Sequence, residues 1–139
     1  MSHLTAALQL THTGVMAMLQ AGIACAEGLG QPQCIVIVDV SGVSLAEFRM
    51  TGSKFLSVES ARSKARTAAS IRAPSSNVPE AVRVNIGLAT HGHITGLAGG
   101  LPIQIGDETV GAIGVGSGSP EDDVAVATAA IAALETPPA

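Results

Sequence analysis

Two histidines separated by a single glycine, His91 and His93, have a spacing that suits metal binding or paired acid–base chemistry. In an extended segment, alternate side chains point to the same face, so the two imidazoles would share one surface. Asp107 or Glu108 would supply a third metal ligand, although the spacing selects neither. We predict His91 and His93 as catalytic residues. The alternative is that they are turn histidines in a glycine-rich loop.

Three cations, Arg49, Lys64 and Arg72, occur beside apolar segments. Arginine presents a planar fork of donors that matches a carboxylate, and lysine presents a compact charge on a flexible stem. We therefore predict that these residues bind a ligand carboxylate. The alternative is that their charges are solvated or paired at the surface.

The adjacent glycines Gly99 and Gly100 predict a backbone anion site, because successive N–H groups can cradle an oxyanion. The alternative is a tight turn into a strand. The glycines at 114, 116 and 118 have the spacing of a phosphate loop. However, Pro120 and the acidic residues 121–123 occupy the helix start that a phosphate would need, which excludes a nucleotide-binding loop.

The composition indicates one domain over residues 1–139, with residues 1–10 as an N-terminal arm. The net charge is −4 and no dense run of Lys or Arg occurs, so we expect no nucleic-acid partner. No apolar run reaches the roughly 18 residues that span a bilayer, so we expect no membrane partner. Hydrophobic residues make up 47% of the chain and charged residues 13%, which predicts a homo-oligomer with surface buried between subunits.

Two cysteines, Cys25 and Cys34, lie in a predicted helix and a predicted strand. Neither has the spacing of a metal ligand or a resolving cysteine. We interpret both as buried thiols, which predicts a reducing, cytoplasmic location.

The first half of the chain predicts two helices around a hairpin. Thr11 is expected to cap a helix that ends near Gly30. The β-branched run 34–39 predicts a buried strand, and residues 43–50 predict the returning strand. Ser53 or Ser57 is expected to cap a second helix over residues 58–71, whose small residues would let it lie close to a sheet.

The second half predicts a loop, strands and a last helix. Residues 73–92 are expected to form a loop with a short helix near 78–84, and residues 93–97 a strand. Residues 101–105 and 109–115 predict a hairpin. Ser119 and Pro120 predict the start of a helix that reaches about Leu134 and stops before the prolines at 137 and 138. Grouped hairpins between helices indicate an α+β fold.

Short motifs along the chain, taken together in their order, resemble the GlcG/HbpS haem-binding family, which includes the C-terminal domain of the PduO adenosyltransferases. They are Ile37–Gly42, Arg49–Gly52, Lys64–Ala69, Gly99–Ile103 and Gly111–Val115. The resemblance covers about residues 10–135. It implies a five-stranded antiparallel sheet flanked by helices, with a shape like that of profilin and PAS domains, and a homo-oligomer. Thr51 and Gly116 depart from the family pattern of aspartate and serine, and both are expected near the pocket rim.

The resemblance also implies a role for His12, the nearest match to a histidine that ligates haem iron in some family members. A neutral imidazole can donate a lone pair to iron. His12 is therefore predicted as a metal and ligand-binding residue. The alternative is an exposed histidine at a helix start with no ligand.

The leading hypothesis is a cytoplasmic homo-oligomer that binds a small molecule, with haem or a related tetrapyrrole as the implied ligand and otherwise no cofactor. The alternative is a small cofactor-independent enzyme, an isomerase, hydratase or lyase, acting on a carboxylated or carbonyl metabolite. It would use His91, His93, Arg72 and the Gly99–Gly100 amides. A third hypothesis is a structural subunit whose pocket holds no ligand.

Overall fold

An antiparallel sheet forms the centre of the structure, a computed structural model that describes residues 1–135. The elements follow the predicted α+β order. They are α1 (His12–Leu29), β1 (Cys34–Asp39), β2 (Ser44–Arg49), α2 (Leu56–Ile71), α3 (Arg83–Ala89), β3 (Gly100–Ile105), β4 (Glu108–Gly116) and α4 (Pro120–Ala132). Two 3₁₀ turns, Ser75–Asn77 and Glu80–Val82, precede α3. Within the described part of the chain, no helix is long and apolar enough to cross a membrane.

The sheet has four strands within residues 1–135, in the order β2-β1-β4-β3, and not the five that the resemblance implied. The segment predicted as a further strand, residues 93–97, is a turn followed by irregular chain. The Thr95 N–H donates to Thr67 Oγ1 on α2 over 2.9 Å, and the Leu97 N–H donates to Thr95 Oγ1 over 3.2 Å. Two backbone donors of the segment are thus used by side chains instead of a strand partner.

Helices cover both faces of the sheet, and alternate residues of β1 point to each layer. Ile35 and Ile37 pack with α1 and α4 in one apolar cluster. Cys34, Val36 and Val38 pack against the small residues of α2 in a second cluster. Because both faces are covered, this strand is apolar along almost its whole length.

Local capping sets the ends of α1 and α4, as predicted. Thr11 Oγ1 accepts the Gly14 N–H over 3.1 Å, and Gly30 closes α1 in the left-handed conformation. Ser119 Oγ accepts the Asp122 N–H over 3.1 Å at the start of α4.

One prediction about helix ends was wrong, two differ from the structure by a few residues, and one lies outside the described chain. No serine caps α2: Phe55 holds the cap position without a side-chain hydrogen bond, and Ser57 lies inside the helix. The helix α4 ends at Ala132 rather than Leu134. The short helix expected near 78–84 lies at Arg83–Ala89. The prolines at 137 and 138 lie outside the described residues.

Candidate functional site

The turn after α3 brings His91 and His93 to the surface of one cleft, although not through an extended strand. His91 has φ +54° and Gly92 has φ +79°, so two successive residues are left-handed. The Gly92 N–H donates to the Gly87 carbonyl over 2.7 Å, and the His93 N–H donates to the Thr90 carbonyl over 3.0 Å. These bonds hold the turn at the end of the helix. Both histidines are exposed.

The helix α2 supplies the opposite wall of this cleft. Its residues Glu59, Ser63 and Arg66 are spaced by three or four positions, and each lines the cleft beside the two histidines. This cleft has a volume of about 400 Å³. A neighbouring cleft of about 790 Å³ lies under the β1–β2 turn and shares Arg66, His91 and His93. We call these three residues the Arg66 cluster.

Side chains of α2 also fix the two loops around this cluster. Ser63 Oγ donates to the Gly92 carbonyl over 2.6 Å, which ties the histidine turn to the helix. Arg66 Nε donates to the Gly42 carbonyl over 3.3 Å, which ties the β1–β2 turn to the same helix. Arg66 belongs to the Lys64–Ala69 motif but was not predicted as a site residue, although its spacing from Glu59 and Ser63 places it on the face of α2 that points away from the buried alanines.

The third metal ligand considered for the histidine pair is distant from it. Asp107 and Glu108 lie at the β3–β4 turn, where the Glu108 carboxylate accepts the Leu8 N–H of the N-terminal arm. Among residues 1–135, no three His, Cys, Asp or Glu side chains converge as metal ligands.

The three predicted cations are dispersed over the molecule. Lys64 is buried, and its Nζ lies 3.0 Å from Asp123 Oδ2 and donates to the Val115 carbonyl over 2.8 Å. Arg49 is exposed and lines a separate cleft of about 510 Å³ between β2 and the end of α1. Arg72 is exposed at the C-cap of α2 with φ +56°. Their ligand contacts stay predictions, and for Lys64 the structure shows a role inside the fold.

The predicted anion site at Gly99 and Gly100 is a place of close packing. Both residues are buried, and the Gly100 N–H donates to Ser75 Oγ over 2.9 Å. A side chain on Gly100 would collide with the Lys64 carbonyl oxygen. One of the two amides is therefore already bonded. Neither glycine lines the clefts of the Arg66 cluster, so the structure does not bring together the residues of the enzyme hypothesis.

A different, mostly apolar cleft of about 490 Å³ lies at the start of α1, on the α1 and α4 side of the sheet, and His12 is not among the residues that line it. Its walls include Leu8, Leu10 and Ile105, and its lining residues Thr11 and Thr13 flank His12 in sequence. His12 is the first helical residue of α1 and is exposed. No hydrogen bond to its ring occurs among the described residues.

A family model described as haem degrading protein HbpS-like matches residues 10–132. The chain belongs to this HbpS-like family. The corrinoid adenosyltransferase PduO of Citrobacter freundii is 30% identical over 133 residues, which are 92% of this chain and 40% of that protein. The chain thus spans less than half the length of this curated relative.

Solved structures agree with the HbpS-like assignment. The crystal structure of HbpS has a TM-score of 0.85 at 30% identity, over 96% of each chain. A crystal structure of a PduOC:heme complex has a TM-score of 0.85 at 25% identity, over 91% of this chain and 96% of that chain. The haem in that complex belongs to that protein.

The two departures from the HbpS-like motifs have different surroundings. Gly116 is buried where β4 meets α2, and a β-carbon there would lie 3.0 Å from Ser60 Oγ and 3.3 Å from Ser57 Cβ. The two serines of α2 therefore fill the space that a serine at 116 would need. Thr51 is exposed and lines the same cleft as Arg49. Only Thr51 lies at a pocket rim.

Proposed function

We propose that the protein is a homo-oligomeric small-molecule-binding protein that takes haem or a related tetrapyrrole, with His12 as the iron ligand. The observation that carries this proposal is an apolar cleft at the first turn of α1, lined by Thr11 and Thr13 on either side of the exposed His12, whose own side chain is not among the lining residues. Membership of the HbpS-like family and the likeness to a PduOC:heme complex support the same ligand.

The residues around His12 meet two of the three needs of a haem site. The imidazole is the donor that haem iron takes from histidine, and the apolar cleft suits a macrocycle. A cationic partner for the propionates is the third need, and no Lys or Arg of the described chain lines this cleft. When bound, haem would supply the iron chemistry, while His12 would hold the iron and the cleft would exclude water.

The haem is proposed to lie between two copies of the chain, so that the second copy supplies the cation that this cleft lacks. The chain is poor in charge, and Leu8, which lines this cleft, is 45% exposed. Apolar surface of this kind is typical of contacts between subunits. A ligand residue on the outside of one chain, such as His12, can then face a pocket that a second copy completes.

Hemin titration of the purified protein, followed by absorbance, tests the proposal. We expect a Soret shift that saturates in the wild type and is lost or strongly weakened in His12→Ala. His3→Ala is the matched control, because it removes an exposed imidazole from the N-terminal arm and leaves α1 unchanged.

Two results would contradict the proposal: no Soret shift in the wild type, or the same shift in His12→Ala. Native mass spectrometry of the same samples tests the oligomer, which is expected to hold haem at a fixed ratio to subunits. A monomer that binds hemin fully would contradict the shared site.

A further inference from the structure

The Arg66 cluster and the proposed haem site lie on opposite sides of the sheet. The cluster lies on the α2 side of the sheet, whereas His12 lies on the α1 and α4 side. Nothing in the haem proposal uses its groups. The cluster nevertheless joins a guanidinium and two imidazoles around clefts of about 400 and 790 Å³, a size range typical of small-molecule sites.

We propose that Arg66, His91 and His93 bind the oxyanion group, a carboxylate or a phosphate, of a small metabolite. The three side chains line the same two clefts, Arg66 from α2 and the histidines from the turn after α3. Arginine binds such groups through two parallel N–H donors, and an imidazole adds a ring N–H donor.

The guanidinium of Arg66 is held in position by one of its N–H donors, and its other donors can bind a ligand. Its Nε donates to the Gly42 carbonyl, and its terminal nitrogens make no hydrogen bond within residues 1–135. Its half-buried position keeps the aliphatic stem packed while the head reaches the clefts. A ligand oxyanion can therefore take the terminal donors without breaking a bond of the fold.

The charge balance around the cluster favours an anion. Among the described residues that line the two clefts, one carboxylate occurs, Glu59, and its Oε2 already accepts Arg62 Nη1 over 2.9 Å. A further carboxylate, Glu47 on β2, lies nearby, but it has its own cationic partner: hydrogen bonds from Arg62 are the main cause of its lowered pKa, and the charge of Arg66 adds the smallest contribution. A metal ion would meet the positive guanidinium and would lack a third protein ligand, so it fits this place less well.

The turn that carries the histidines is rigidly tied. Ser63 binds the Gly92 carbonyl, and two backbone bonds close the turn on α3. Binding of a ligand by the imidazoles therefore costs little backbone entropy, because the turn is already ordered before binding.

Equilibrium dialysis with radiolabelled inorganic phosphate and, separately, radiolabelled succinate tests the proposal at constant ionic strength set with chloride. We expect saturable binding of at least one probe, with one site per chain. The probe that binds more tightly identifies the ligand group as phosphate or carboxylate. If neither probe binds saturably, the proposal is overturned.

Charge-matched variants locate the bound probe. Arg66→Gln is expected to weaken binding about tenfold or more, the loss of charge-assisted hydrogen bonds. His93→Gln is expected to weaken it less, and Arg66→Lys is expected to keep more affinity than Arg66→Gln. Lys54→Gln removes one positive charge from an exposed residue just before the same helix and should bind as the wild type. Equal losses in Arg66→Gln and Lys54→Gln would overturn the site, since only net charge would then matter.

Two controls separate this result from the haem proposal and from misfolding. His12→Ala should bind the anion as the wild type does, because His12 lies across the sheet, and failure to bind hemin leaves this result unaffected. Far-ultraviolet circular dichroism of each variant checks the fold. If Arg66→Gln is disordered, Arg66→Lys and His93→Gln still decide the question: unchanged affinity in both would overturn the site.

Discussion

Lys64 Nζ lies 3.0 Å from Asp123 Oδ2, and this buried ion pair joins two helices on opposite faces of the sheet. The two side chains are only 6% and 4% exposed. Each charge has a further partner: Lys64 donates to the Val115 carbonyl, and Asp123 Oδ1 accepts the Gly118 N–H over 3.1 Å. The pair therefore fastens α2 and α4 to the chain at the end of β4.

Removing one partner of this pair is expected to be costly. Lys64→Met leaves the Asp123 carboxylate buried without a counter-charge, and we expect the free energy of unfolding to fall by about 3–5 kcal/mol. Lys54→Met is the control, because Lys54 is exposed, and its effect should stay within about 0.5 kcal/mol. Urea unfolding followed by circular dichroism measures both.

The double variant Lys64→Met with Asp123→Asn separates charge from packing. It removes both charges and keeps an acceptor for Gly118, so we expect it to be more stable than Lys64→Met alone. A double variant as unstable as the single one would contradict the role of the uncompensated charge.

A second ion pair predicts a dependence of stability on pH. Arg62 donates to both carboxylate oxygens of Glu47 over 2.6 and 2.7 Å, and these hydrogen bonds lower the pKa of Glu47 below its ordinary value of 4.5. A carboxyl with a lowered folded pKa stabilises the fold above its unfolded pKa, and this contribution is lost as the pH falls through the folded pKa.

Glu47→Gln tests this pair. At pH 7 we expect the variant to be less stable than the wild type by about 0.2–1 kcal/mol, because the pair is partly solvated and screened. The difference should shrink toward zero as the pH falls through the lowered pKa of Glu47, where the wild-type carboxyl becomes protonated. Molar salt should reduce the difference at pH 7. A difference that is independent of both pH and salt would show that the effect is not electrostatic.

The N-terminal cap of α4, Ser119, leads to a third prediction about stability. Ser119→Ala removes the acceptor of the Asp122 N–H, and we expect a loss of about 1 kcal/mol in the free energy of unfolding. Ser119→Asp should retain the cap and also favour the positive end of the helix. Thr128→Ala is the control: its hydroxyl donates to the Val124 carbonyl inside α4, so its removal should not destabilise the helix. Equal losses at 119 and 128 would contradict the cap.

The predictions that succeeded depended on neighbours in sequence. Thr11, Gly30 and Ser119 mark helix ends through bonds that span three or four residues, and Gly106, with φ +61°, lies in the β3–β4 turn. The HbpS-like assignment also came from short motifs in order, and the family model confirmed it.

The predictions that failed depended on contacts between distant segments. Residues 93–97 were expected to form a strand, but Thr67 of α2 binds their backbone and draws the segment to the helix. The shared face of His91 and His93 arises from a left-handed turn at a residue other than glycine, which residue type alone does not reveal. Arg66 joins them only because α2 packs beside that turn. The roles of His12, Arg49 and Arg72 stay predictions.

The close contact between α2 and β4 leads us to expect the largest loss of stability among these variants. A β-carbon on Gly114 would collide with the Ala61 carbonyl oxygen, because the helix lies directly on the strand at this point. Gly114→Ala must therefore move α2 or break its backbone bonds, and we expect little folded protein at 25 °C.

Gly28 is the matched control, since a β-carbon there meets nothing within 4 Å. Gly28 lies inside α1, so Gly28→Ala should raise stability by up to about 1 kcal/mol through helix propensity. Thermal unfolding of both variants measures the contrast, and a Gly114→Ala protein as stable as the wild type would contradict the close approach of α2 to the sheet.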